Sequence, residues 1–297
     1  MRWPATAPVT SRRQLSLRAP CVRQGGFTLL EVIIVITITG IIAAVVAVFI
    51  QQPVQGYFDT VRRAQLSDSA DIALRRMARD VQTALPNTIR SGDANNYFLE
   101  FLPVRSGGRY CAAVDCGDAF DITSASDNSF AVLGPGVSVS SGDSIVIFNT
   151  GQSGADAYVG GNRRTFSGAA GASVSAISYS IAAGQFPLAS PSNRFQVVST
   201  AITYACDAAS GVLRRFSGYA IQGSQPTALS GGQLVTASGN VSGAILASDV
   251  VCATGAGDLG TGFDVRATDS LLGMRIQLRS SGESVSLYRE VHVDNAP

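Results

Sequence analysis

The sequence predicts an α+β protein: one long helix near the N-terminus, then a head built mostly of antiparallel strands. Three observations predict it. Residues 32–58 contain no charged side chain. Beyond them, apolar residues recur at gaps of three and four as far as Leu85, the helical spacing. From Asn87 on, short β-branched and aromatic runs alternate with Gly, Ser, Asn and Asp clusters, the pattern of strands and turns.

Composition narrows the function classes. A chain of 297 residues forms one or two domains. Its charged fraction of 14% is far below the usual share of about 25%, which excludes a disordered polyelectrolyte. The 31 glycines follow no three-residue period, which excludes collagen. All 22 basic residues are Arg, and a single His excludes a His-rich metal site. The first 26 residues carry five Arg (Arg2, Arg12, Arg13, Arg18, Arg23) and no acid. The other 271 carry 17 Arg and 21 acids, a net −4. Positive charge concentrated in a leader is a targeting signature rather than a nucleic-acid footprint.

The densest apolar run, residues 32–50, has 14 β-branched residues among 19. In water that composition favours strand, but a single span in lipid must satisfy its own backbone and is therefore helical. Residues 27–50 as a helix cover about 36 Å, enough for a hydrocarbon core of about 30 Å. The run is too long for an ordinary secretory signal, and no Ala-x-Ala site closes it. Glu31 is the unexpected residue, because a carboxylate at a bilayer centre costs roughly 2.5–3.5 kcal/mol.

The helix continues past Pro53, which removes one helical hydrogen bond. Val54, Tyr57, Phe58, Val61, Leu66, Ala70, Ala73, Leu74, Met77, Val81 and Leu85 form its apolar face. Its polar face holds Arg62, Arg63, Asp68, Asp71, Arg75, Arg76, Arg79 and Asp80, with Asp71/Arg75 and Arg76/Asp80 at pairing distance. Interleaved acids make this a solvated face and not a nucleic-acid stripe. Pro86 ends the run.

The junction Gly25-Gly26-Phe27-Thr28-Leu29-Leu30-Glu31, with its basic leader and apolar sequel, resembles the prepilin motif of type IV pilins and type II secretion pseudopilins. The resemblance implies cleavage between Gly26 and Phe27 by a prepilin peptidase, N-methylation of Phe27, and a register-setting role for Glu31. It implies an α+β pilin-like architecture with residues 1–26 as a removed leader, 27–86 as the long helix (27–50 in the membrane) and 87–297 as the head. The partners implied are other major and minor pilins, the inner-membrane pilus assembly platform and the membrane itself. The location implied is the inner membrane, single-pass with a periplasmic head, then the pilus at the cell surface. Further stretches (PVQGYFDTVRRAQLSDSADIALRRMARDVQTALPNTIR, FLEFLPVRSGGRY, NRRTF, SLYREVHVDNAP) are similar to minor pilins of the mannose-sensitive haemagglutinin pilus. A minor pseudopilin and a tip module binding carbohydrate, a surface or DNA are the alternatives. Scattered Tyr97, Tyr110, Tyr158, Tyr204 and Tyr219 could serve such a module.

In the head, strands are expected at 97–103, 109–113, 129–133, 144–149, 195–206, 212–220, 271–279 and 285–293. Ser280-Ser281-Gly282-Glu283 reads as a hairpin turn. Residues 151–193 and 223–243, rich in Gly, Ser and Ala, read as long loops. Cys21 lies in the leader, leaving Cys111, Cys116, Cys206 and Cys252. An even count beyond a membrane signal suggests disulfides made in an oxidising compartment. Three connectivities are open. The favoured one closes CAAVDC through Cys111 and Cys116 and joins Cys206 to Cys252. A four-Cys zinc site would need closely spaced pairs, and Cys206 and Cys252 stand alone. Asp115, Asp118, Asp121 and Asp127 lack the EF-hand spacing. His292 sits in an apolar strand as an ordinary surface residue. No nucleophile elbow, P-loop or H-E-x-x-H appears. The reading is therefore non-enzymatic, with no cofactor, no metal and no nucleic acid.

Overall fold

The computed structural model describes residues 25–92, 97–229, 234, 243–253, 260–266 and 270–293, without the side chains of residues 51 and 52. Of the expected leader, only Gly25 and Gly26 are among them. The chain divides into two compact units, Met1–Gly56 and Tyr57–Pro297. One helix of 53 residues, α1 (Leu29–Val81), contributes to both and continues through Pro53.

In the first unit the helix leaves its apolar side chains uncovered: Phe49 is 79% exposed and Val45 61%. The two threonines in this stretch need no outside partner. Thr37 Oγ1 donates to the carbonyls of Ile33 (3.0 Å) and Ile34 (2.9 Å), and Thr39 Oγ1 to that of Val35 (2.5 Å). Both hydroxyls are satisfied within the helix, as a lipid environment demands.

The second unit contains the rest of α1 and fifteen described strands. In chain order these are β1 (Phe98–Phe101), β2 (Val104–Tyr110), β3 (Ser129–Leu133), β4 (Val137–Val139), β5 (Ser144–Val146), β6 (Arg163–Thr165), β7 (Gly171–Val174), β8 (Ala176–Ser178), β9 (Arg194–Val198), β10 (Ala201–Asp207), β11 (Val212–Tyr219), β12 (Ala244–Ala247), β13 (Gly262–Arg266), β14 (Leu271–Ser280) and β15 (Glu283–His292). They form antiparallel sheets in the orders β1-β10-β11-β12, β13-β14-β15, β6-β5-β9-β2-β3-β8 and β4-β7.

The helix packs on the first two sheets. Leu66, Ala70, Ala73, Leu74, Met77, Ala78 and Val81 meet Leu99, Phe101, Tyr204, Leu213, Phe263, Met274, Ile276 and Leu278 in one core. Small residues at 70, 73 and 78 let the helix approach the strands closely. The six-stranded sheet has its own core, where Tyr110, Phe120, Phe130, Tyr179, Phe186 and Phe195 pack mostly edge to face. A third core joins Leu85, Phe98, Leu102, Val146, Val198, Ala201 and Tyr219.

Several elements differ from the expectation. The helix stops at Val81, ahead of Leu85. Backbone pairing captures the chain there: Leu85 N donates to Leu102 O (2.7 Å) and Val104 N to Thr83 O (2.8 Å). The stretch 195–206 is two strands, since the chain turns at Ser199-Thr200 from one sheet into another. Residues 151–193 are not a bare loop but contribute β6, β7 and β8. β4, β12 and β13 were also not anticipated. Most of 223–243 lies outside the described residues. The expected hairpin is present: Ser280 pairs with Glu283, and Ser281 (φ 48°) and Gly282 (φ 88°) make the left-handed two-residue turn that a twisted ribbon favours.

Of the two helix pairs, Arg75 meets Asp71 at 2.7 Å. Asp80 turns instead toward the sheet, accepting from Tyr204 Oη (2.6 Å) and Arg215 Nε (2.8 Å). A short carboxylate in the last turns reaches two fixed donors there, which outweighs one exposed pairing worth a few tenths of a kcal/mol. Burial and the adjoining Asp80 carboxylate push the Tyr204 phenol up.

A buried polar node lies between β1 and the segment after α1. Glu100, fully buried, pairs with Arg90 at 2.7 Å and accepts from Tyr219 Oη at 2.8 Å. Arg90 also donates to the carbonyls of Gly223 and Gln222 and lies 3.5 Å from the centre of the Tyr158 ring. Burial raises the Glu100 carboxyl above its ordinary range, and Arg90 and Tyr219 offset only part of that. A second buried cation, Arg164, is held by backbone carbonyls of Gly160, Gly161, Arg163, Gly184 and Gln185, which ties two loops together.

Disulfides join Cys111 to Cys116 and Cys206 to Cys252, each with Cα atoms 5.8 Å apart. The first closes a loop of separation 5 and the second one of separation 46, tying β10 to the segment before β13. Chain-entropy arithmetic gives about 2 kcal/mol for the short loop and about 4 kcal/mol for the long one. Chemical denaturation of the full chain in detergent should therefore rank Cys206→Ser/Cys252→Ser as the more destabilised variant, and the reverse order would refute the argument.

Arg90→Met should cost about 3–5 kcal/mol at neutral pH by leaving a buried carboxylate uncompensated. A carboxyl raised by folding stabilises below its unfolded value and loses that contribution as pH rises through its folded value. The Arg90→Met penalty should accordingly shrink as pH is lowered from 8 to 5. Denaturation curves showing a pH-independent penalty would contradict this.

Candidate functional site

The site expected from the sequence is the junction ahead of α1. Gly25 and Gly26 lie in irregular backbone, and a Cβ built on either meets no other atom within 4 Å. Phe27 follows, 79% exposed, and the helix begins at Leu29. The bond between Gly26 and Phe27 is thus in open, non-helical chain, the conformation a peptidase cleft can hold.

Thr28 starts the helix. Glu31 N donates to Thr28 Oγ1 at 3.3 Å, and Val32 N to Thr28 O at 3.2 Å. This is the Thr-x-x-Glu order of a capping box, legible as T28-L-L-E31 but not recognised from the sequence. The cap places Glu31 in the first turn, where the helix dipole favours an acid. Its side chain is exposed and, among the described residues, has no ion-pair partner. Gly26, Phe27 and Glu31 therefore lie together at one helix end, next to a long uncovered apolar surface. α1 holds the one candidate membrane span among the described residues, with mean hydropathy 3.0 in its most apolar window.

The other candidates behave as structure. Tyr110, Tyr158, Tyr204 and Tyr219 are buried and Tyr97 is half-buried, so they do not form an exposed ligand surface. Tyr158 Oη donates to Thr88 O at 2.8 Å and Tyr110 Oη to Ser190 O at 3.2 Å. Asp121 and Asp127 spend their carboxylates on the loop itself: Asp127 Oδ2 accepts from Asp121 N (2.6 Å), and Asp121 Oδ1 from Thr123 N (2.9 Å) and Thr123 Oγ1 (2.6 Å). The bonds from Thr123 hold the Asp121 carboxyl below its usual range. Among the described residues no three His, Cys, Asp or Glu are grouped to hold a metal ion. His292 ends β15, exposed. Cys111, Cys116, Cys206 and Cys252 are all taken up in disulfides.

Sequence reasoning missed the partners of Glu100. The available signal was a glutamate inside the apolar run Phe98-Leu99-Glu100-Phe101-Leu102, which demands a buried counter-charge.

The family model for the prokaryotic N-terminal methylation motif matches residues 21–47. No curated protein and no solved structure matches the chain. The matched stretch contains Gly26, Phe27, Glu31 and the first part of α1. The chain thus joins an N-terminal prepilin methylation motif to an α+β pilin-like architecture, as in type IV pilins and pseudopilins generally.

Proposed function

We propose that this chain is a minor type IV pilin of the mannose-sensitive haemagglutinin kind, similar to MSHA biogenesis protein MshO, which helps to initiate or support pilus assembly. The observation that carries the reading is the open junction of Gly26 and Phe27 followed directly by a capped, uncovered apolar helix with Glu31 in its first turn. In this reading prepilin peptidase hydrolyses the bond, giving a Gly26 carboxylate on the leader and a free amine on Phe27, which is then methylated. The protein waits in the inner membrane as a single-pass subunit with its head in the periplasm. The assembly platform then moves it into a filament, where apolar helices of major and minor pilins bundle away from water.

The electrostatics explain why an acid belongs there. A lone ammonium or carboxylate inside a water-free bundle costs several kcal/mol. Glu31 of one subunit paired with the Phe27 amine of its neighbour cancels both penalties and sets the axial step between subunits. The pair acts as a register device, since a subunit shifted along the axis would leave both charges unpaired. The same N-terminal chemistry would serve a minor pseudopilin of a type II secretion system, and the methylation motif favours neither over the other.

Mass analysis of the protein from sheared filaments should find chains beginning at a methylated Phe27. Glu31→Ala should be cleaved normally yet be at least about tenfold depleted from filaments, the loss expected for one unpaired buried charge. Wild-type incorporation of that variant would remove the pairing, and an intact leader in cells with active peptidase would remove the whole reading.

A further inference from the structure

Residues 221–226 follow β11 as a segment that is neither helix nor strand. Arg90 clasps it to the body of the head, donating from Nη1 to Gly223 O at 2.6 Å and from Nη2 to Gln222 O at 2.9 Å. The Gln225 amide reaches back the other way, donating to Arg90 O and Phe98 O, each at 3.2 Å. Gly92 makes room for that amide, since a Cβ there would lie 2.9 Å from Gln225 Oε1. At the start of the segment, Ile221 packs against the rim of the third core.

The clasp is itself held from beneath. The Arg90 guanidinium lies 3.5 Å from the centre of the Tyr158 ring and 2.7 Å from the Glu100 carboxylate. Glu100 also accepts from Tyr219 Oη at 2.8 Å, and that hydroxyl bonds Thr203, the register partner of Glu100 on β10. The groups facing Glu100 are therefore Arg90 from the segment after α1, Tyr219 from β11, Thr203 from β10 and Tyr158 from the loop before β6. Arg90 is the one charged side chain among them. The two charges differ in access: the Glu100 side chain is 0% exposed and that of Arg90 22%. The cation has a route to water, and the acid has none. A guanidinium left beside a neutral acid keeps only two carbonyls and a ring, and an uncompensated charge is better placed in water.

We propose that Glu100 is a proton-operated latch: ionised, it holds Arg90 and through it residues 222–225 against the head; protonated, it lets Arg90 turn out into water and frees the segment. The sign follows from linkage. Burial lifts the Glu100 carboxyl above its ordinary range, and Arg90 lowers it part of the way back. With Arg90 withdrawn that lowering is lost, so the open state binds the proton more tightly than the closed one and acid favours opening. The movement is local, because α1 packs against the first core and the segment touches the third. The inference does not depend on filament entry, because it is read on the isolated full chain.

The test uses the full chain in detergent micelles with Cys21→Ser, so that only added cysteines take spin labels. Labels at Ser224→Cys in the segment and Ser284→Cys on β15, both exposed positions, report the distance from segment to sheet. Double electron–electron resonance should give one narrow distance at pH 8 and a broad distribution at pH 5. A reference pair, Ser217→Cys on β11 with Ser284→Cys, should stay narrow at both. Glu100→Gln, which cannot ionise, should be broad already at pH 8. Tyr219→Phe removes a bond that favours the carboxylate, so it should move the change to higher pH. If Glu100→Gln does not fold, the pH series of wild type and of Tyr219→Phe decide the matter. An unchanged segment distance between pH 8 and pH 5, a reference pair that broadens in step with it, a narrow distribution in Glu100→Gln at pH 8, or a Tyr219→Phe midpoint that stays or falls would overturn the proposal.

Discussion

From residue 32 to residue 50 the chain carries no charge, and its own fold covers none of the large side chains there. Removing each Val, Leu, Ile or Phe from water is worth about 1.5–3 kcal/mol, so the stretch as a whole strongly favours an apolar environment that the molecule itself does not provide. A single glutamate, costing roughly 2.5–3.5 kcal/mol on insertion scales, does not reverse that preference. It can decide which arrangement within that environment is lowest in energy. A cap sets where the helix starts, and the hydrophobic cores of the second unit are built from Leu66 onward.

That separation is visible in α1 itself. Up to Gly56 its apolar residues lie all round the helix; from Leu66 on they form one face, and Ala70, Ala73 and Ala78 bring that face close against strands. One backbone thus serves two environments. Asp80 marks the far end of the second half, tied to Tyr204 and Arg215, and backbone pairing of residues 83–85 with 102–104 then turns the chain into the sheets.

The head depends on polar groups that are satisfied inside it. Arg90 and Glu100 neutralise each other beneath Tyr158 and Tyr219, and Arg164 is held by five carbonyls. Such nodes specify loop positions that a Gly- and Ser-rich sequence would leave poorly defined. The Cys206 and Cys252 bridge does the same covalently for the segment before β13.

Local chemistry was enough to read the helix, the N-terminal methylation motif and the final hairpin. Each depends on residues within a few positions of one another: a long uncharged run, a short Gly-Phe-Thr-Leu-Leu-Glu stretch, a Ser-Gly turn. The strand at 129–133 was legible for the same reason, as alternation within five residues. What was not legible depends on distant partners. The split of 195–206 into β9 and β10 arises because two different sheets claim its halves, and β6, β7 and β8 form in Gly- and Ser-rich chain because β5, β4 and β3 offer edges to pair with. Asp80 exchanged an expected neighbour on its own helix for donors more than a hundred residues away. Hydrophobic period and turn chemistry are short-range properties, so they can be read along the chain. Sheet order, register and the pairing of buried charges are set by long-range closure, which only the folded molecule resolves.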